Sequence, residues 1–122
     1  LPEVKSVEAY ATQTAVIAYQ KEMEGIIVKG VDRNQSIPFL SNSTQLKKLS
    51  IEKNNEIVLS EEIANKINAS IGSFVRVNFL QNGKVQERKL LVNGLYHSGI
   101  EEYDAQFIFI DLTVFRTLDF IR

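Results

Sequence analysis

Residues 56–72 read EIVLSEEIANKINASIG and run straight into the alternating stretch SFVRVNFL. No other part of the chain restricts the fold so tightly. Ile57, Val58 and Leu59 make a short apolar strand that stops at Ser60, whose hydroxyl suits the N-cap of a helix. Glu61 and Glu62 put acid in the first turn, where the helix dipole favours it. Ile63, Ala64 and Ile67 then share one helical face, and Gly72 ends the pattern before a new strand. The unit predicts strand, capped helix and strand in quick succession. None of its side chains stands where catalysis would need it.

The flanking segments are strands and turns. Val7, Ala9, Ala11, Ala15, Ile17 and Tyr19 fall on one face of an alternating stretch, with Glu8, Tyr10, Thr12 and Thr14 on the other. A polar turn over 20–24 reverses the chain into Gly25, Ile26, Ile27, Val28 and onward to Val31, which predicts a long hairpin. From 32 to 55 the sequence turns polar and contains Pro38, so a loop is expected, with at most a helical turn over 44–49. Val75, Val77 and Phe79 alternate with Arg76 and Asn78, and Asn82-Gly83 then marks a two-residue type I′ turn into a second arm over 85–96. A polar loop over 96–105 carries Gly99 and an acidic cluster. Phe107, Ile108, Phe109 and Ile110 are apolar on both faces, as in a central strand covered on both sides. Asp111 caps a last short helix in which Leu112, Phe115 and Leu118 share a face. With no internal repeat and no linker, 1–122 reads as a single α+β domain: a mixed, mainly antiparallel sheet with long hairpins and two short helices.

Composition excludes several function classes. At 122 residues the chain can bury a core without disulfides or metals. A net charge of −1 gives no global attraction to nucleic acid or anionic lipid. The absence of cysteine rules out a disulfide framework, a thiolate zinc site and a cysteine nucleophile. Uninterrupted apolar runs reach about four residues against the ~20 that a membrane-spanning helix needs. The chain opens at Leu1-Pro2 with no signal peptide, and it reads as a piece of something longer.

The residues that carry chemistry form no convincing constellation. His97 is the sole histidine, with Ser98 beside it and Asp104 nearby in sequence. A Ser/His/Asp triad can be assembled in any order, but Gly-x-Ser-x-Gly is missing, and adjacent side chains on an extended backbone point apart. Glu101, Glu102 and Asp104 lack the spacing of a calcium loop. Glu61 and Glu62 are explained by the helix start and, being adjacent, do not converge on one bond. Gly25 and Gly30 have the separation of a phosphate loop, yet Val31-Asp32 follows where Lys and Ser/Thr are required. No catalytic residue, cofactor site or metal site is expected. The hairpin tip Gln81, Asn82, Gly83 and Lys84 is the one candidate for contacting a partner.

In ordered segments along nearly its whole length, the chain resembles the extracytoplasmic core domain of ABC-transporter permeases of the MacB and LolC/LolE type, a family that includes FtsX-like permeases. The segments are Pro2-Glu3-Val4-Lys5-Ser6-Val7, Ile26-Ile27-Val28-Lys29-Gly30-Val31-Asp32, and Ile57-Val58-Leu59-Ser60-Glu61-Glu62-Ile63-Ala64. Then come Ile67, Ile71-Gly72 before a strand, Leu91-Val92-Asn93-Gly94-Leu95, and Tyr103-Asp104 ahead of 107–110 and the closing helix with Phe115 and Leu118. The resemblance implies one lobe of a two-lobed periplasmic domain, lying between the first two transmembrane helices of a permease in the bacterial inner membrane.

It further implies a non-enzymatic role. In that family a separate cytoplasmic subunit hydrolyses ATP, and the extracytoplasmic domain moves with the membrane helices and engages partners, either an adaptor or a lipoprotein carrier. The function expected is thus a non-catalytic part of a lipoprotein-release or MacB-like export system. In the LolC branch a hook inserted between two strands catches the carrier. Those strands correspond here to the arms around Gln81, Asn82, Gly83 and Lys84, where the sequence leaves room only for a tight turn. The alternative is a free-standing secreted binding domain.

Overall fold

The computed structural model describes residues 11–32 and 55–118. The expected helical turn over 44–49, the opening alternation before Ala11 and the segment Pro2 to Val7 lie outside the described residues. Six strands and three short helices follow one another: β1 (Ala11–Tyr19), β2 (Glu22–Val31), β3 (Glu56–Ser60), α1 (Glu61–Ile67), β4 (Phe74–Gln81), β5 (Lys84–Tyr96), α2 (Glu101–Asp104), β6 (Phe107–Asp111) and α3 (Leu112–Phe115).

The strands close into a barrel in the order β1-β2-β6-β3-β5-β4. The α+β content agrees with the sequence reading, but the mainly antiparallel sheet becomes a closed mixed barrel. Two of its six pairings, β2 with β6 and β3 with β5, are parallel. The other four are antiparallel. Closure leaves no sheet edge to be covered. A third helix, α2, also stands where the sequence suggested only loop.

The arrangement repeats a plan that the sequence does not display. A hairpin (β1–β2) leads to β3 and α1, and a second hairpin (β4–β5) leads to β6 and α3. Each third strand pairs in parallel with the hairpin of the other half. Because β3 and β6 are antiparallel, their C-terminal ends lie at opposite ends of the barrel. There Ser60 caps α1 by accepting from Ile63 N, and Asp111 caps α3 by accepting from Thr113 N.

The core explains the alternation. Ala15 and Ile17 of β1, Ile26 and Val28 of β2, Ile57 and Leu59 of β3, Val75, Val77 and Phe79 of β4, and Ile108 and Ile110 of β6 pack inside. The α1 face Ile63, Ala64 and Ile67 joins this cluster, as do Val114, Phe115 and Leu118. At Gly30 an added Cβ would collide with the Phe115 ring, so only glycine lets the ring seat against β2. Phe115 also meets Phe79 edge to face, with ring centroids 6.0 Å apart.

A second cluster, Val31, Val58, Tyr96 and Phe109, lies outside the barrel. It is why 107–110 had to be apolar on both faces. Tyr96 reaches it through a register shift beside Ile57, where the pairing passes from Val92 directly to Gly94. That one-residue bulge turns Leu95 inward and Tyr96 outward. Both hairpins are tight. Asn82 and Gly83 take positive φ of 52° and 79°, as a type I′ turn demands. The first turn is shorter than the polar stretch 20–24 suggested, since β2 already begins at Glu22.

Candidate functional site

The end of the barrel where β3 and β5 stop together carries a cleft of about 430 Å³ lined by Glu61, Glu62, Asn65, Lys66, His97 and Asp104. Its floor is built from backbone accounting. Leaving β5, the chain must return to β6 within the segment 97–106, and the Asp104 carboxylate holds that return in shape. It accepts from Ser98 N at 3.2 Å, from Ser98 Oγ at 2.5 Å and from Gly99 N at 3.3 Å. Ser98 Oγ in turn accepts from Ile100 N. Asp104 is buried, which is tolerable for a carboxylate only because these donors replace its water.

This geometry disposes of a triad. Ser98 Oγ donates a hydrogen bond to Asp104 and accepts one from Ile100 N, so it serves the turn. His97 Nδ1 lies 3.6 Å from Asp104 Oδ2 and 3.8 Å from Glu61 Oε1, on a side chain 60% exposed. Distances of that size, on an exposed ring, lie beyond hydrogen-bond reach. Glu62 pairs with Lys66 one turn along α1 at 3.5 Å, again in solvent. Glu101 and Glu102 are exposed on α2 and do not converge with Asp104. Among the described residues no group of three or more His, Cys, Asp or Glu side chains could hold a metal ion.

Behind the cleft the aromatic cluster supplies stiffness. Tyr96 OH donates to Phe107 C=O at 2.6 Å, and its ring meets Phe109 and Tyr103 edge to face. Burial, followed by the charges of Tyr103, Asp104 and Glu62, pushes the Tyr96 phenol well above the usual phenol range. Tyr103 is raised by burial and then by Asp104. Lys29 lies over the rings of Phe107 and Tyr103, donates to Tyr103 OH at 3.1 Å, and is lowered by burial. The arrangement fastens α2 to β2 and offers no group poised for proton transfer.

The hairpin tip Gln81, Asn82, Gly83 and Lys84 lies elsewhere. It begins β5, whereas the cleft adjoins the end of β5, so the two are at opposite ends of the barrel. Asn82, Gly83 and Lys84 are exposed, and Leu80 and Val85 form an exposed apolar cross-strand pair beside them. The sequence suggested the proximity of His97 and Asp104. It did not suggest Glu61, brought in by α1 from a distant segment. Among the described residues no helix is long and apolar enough to cross a membrane.

No family model matches the sequence, and no curated protein matches it. A solved structure does resemble the fold: the extracellular domain of the noncanonic ABC-type transporter YknZ from Gram-positive bacteria, with a TM-score of 0.55 and 17% identity. The likeness covers 93% of this chain and 59% of that one, so this chain spans well under two thirds of the solved domain.

Proposed function

We propose that the chain is a non-catalytic extracytoplasmic domain of an ABC-transporter permease, transmitting ATP-driven movement and contacting partners outside the cytoplasm. The observation that carries this reading is the fold likeness to a transporter extracellular domain over 93% of the chain. The ordered segments that resemble MacB- and LolC/LolE-type permeases support it independently. A closed barrel with a stiffened end and no assembled catalytic group among the described residues suits a domain that carries force.

Within this reading the partners are the rest of the permease, a cytoplasmic ATPase and a periplasmic adaptor or lipoprotein carrier. The tip Gln81, Asn82, Gly83 and Lys84, flanked by exposed Leu80 and Val85, is the proposed partner contact. Its two-residue turn favours an adaptor over a carrier gripped by an inserted hook.

The test is to read the gene on both sides of this chain. The proposal expects one apolar span of ~20 residues upstream and three more downstream. A signal peptide with no later span would overturn it in favour of a free-standing secreted binding domain.

A further inference from the structure

Ser60 sits fully buried at the junction of β3 and α1. Its hydroxyl accepts from Ile63 N at 3.0 Å and donates to the backbone carbonyl of Asp104 at 2.6 Å. The first bond caps α1. The second reaches 44 residues along the chain to the last residue of α2, whose carboxylate organises 98–100. A hydroxyl can hold both ends because it accepts and donates at once. From these contacts we infer that Ser60 is a coupling residue: it makes α1 and the α2 loop open and close as one unit, so that the cleft between them keeps its shape.

The argument rests on what each bond leaves behind when broken. If α2 lifts, the Asp104 carbonyl loses its donor and the Ser60 hydroxyl loses its acceptor in a water-free position. The same hydroxyl is then free to reorient, which weakens its hold on Ile63 N. Opening either helix alone therefore costs bonds in both. At the opposite end of the barrel Asp111 occupies the matching position before α3 and accepts from Thr113 N. The two-way bond is that of Ser60. Its use as a relay of movement rests on the transporter reading, whereas the coupling itself does not.

Native-state hydrogen exchange on this chain tests the coupling with two variants. In Ser60→Ala, exchange should quicken together at Ile63 N in α1 and at Asp104 N and Ala105 N, which bond to Ile100 and Glu101 carbonyls in the α2 turn. The expected factor is roughly five- to 150-fold, the size for a buried hydrogen-bonding group left unsatisfied. Ser98→Ala leaves Ser60 itself unchanged and removes the hydroxyl that bonds the Asp104 carboxylate and Ile100 N. Asp104 N and Ala105 N should then exchange faster, and Ile63 N should quicken with them although its own acceptor is intact. Loss confined to Ile63 in Ser60→Ala, or to the α2 amides in Ser98→Ala, overturns the coupling. Exchange is indifferent to transport, so that failure would leave the permease reading standing. Absence of flanking spans would likewise leave the coupling intact.

Discussion

The two ends of the barrel follow one plan and are fastened differently. At one end β3 stops at Ser60 and α1 packs Ile63, Ala64 and Ile67 into the core, while hydrogen bonds tie the helix to a neighbouring loop. At the other end β6 stops at Asp111, and α3 is held by the seating of Phe115 against Gly30 and Phe79. One closure turns on a buried two-way hydroxyl; the other combines a shape-dependent ring seat with exposed hydrogen bonds from Arg88 of β5 to Thr117. The same topology thus tolerates quite different fasteners, provided each buries its helix and satisfies its first turn.

The largest effects should come from the aromatic end. Phe115→Ala is expected to cost about 3–5 kcal/mol in urea unfolding, as for other buried rings. Gly30→Ala should cost about 1–3 kcal/mol by forcing a methyl against that ring. The cost of Gly30→Ala should shrink in a Phe115→Leu background, because the pair is in contact and its energies are not additive. Full additivity would show that the two do not form one seat. At the cleft end, Ser60→Ala should cost about 1–3 kcal/mol through the lost cap and the orphaned carbonyl.

A smaller effect separates the ends by pH. The folded state keeps the protons of Tyr96 and Tyr103 beyond the pH, near 10, at which an unfolded chain loses them. The unfolded state then binds fewer protons, so stability is present below about pH 10 and falls above it. Lys29 acts oppositely. Its folded value is lowered, so its penalty is relieved as pH rises from that value towards 10.5. Tyr96→Phe should cost about 1 kcal/mol at pH 7, through the lost bond to Phe107. It should also flatten the alkaline fall, measured as urea midpoints between pH 8 and 11. An unchanged alkaline slope would mean that Tyr96 does not carry it.

Local features of this architecture were legible in the sequence. Asn82-Gly83 specified its turn because few residue pairs accept positive φ twice, and Ser60 with two acids after it specified a helix start. The apolar run 107–110 marked a strand buried on both faces. Closure into a barrel was not legible, since the parallel pairings of β2 with β6 and β3 with β5 join segments far apart and leave no local pattern. The bulge beside Ile57 was hidden for the same reason, and with it the outward turn of Tyr96. Helix α2 has neither an apolar stripe nor a side-chain cap at Ile100, so nothing announced it. The candidate site was half visible: His97 and Asp104 are sequence neighbours, whereas Glu61 and the second role of Ser60 depend on the tertiary fold.

The central claim is that this barrel works outside the cytoplasm as part of a membrane-anchored permease. The chain has no cysteine, so Lys84→Cys at the exposed hairpin tip adds a single thiol to this domain. With the full-length protein lacking that change as reference, intact cells would be treated with a membrane-impermeant maleimide and then fractionated. The account predicts Lys84→Cys labelling before lysis, on a protein that sediments with membranes. Labelling only after the cells are broken would contradict it.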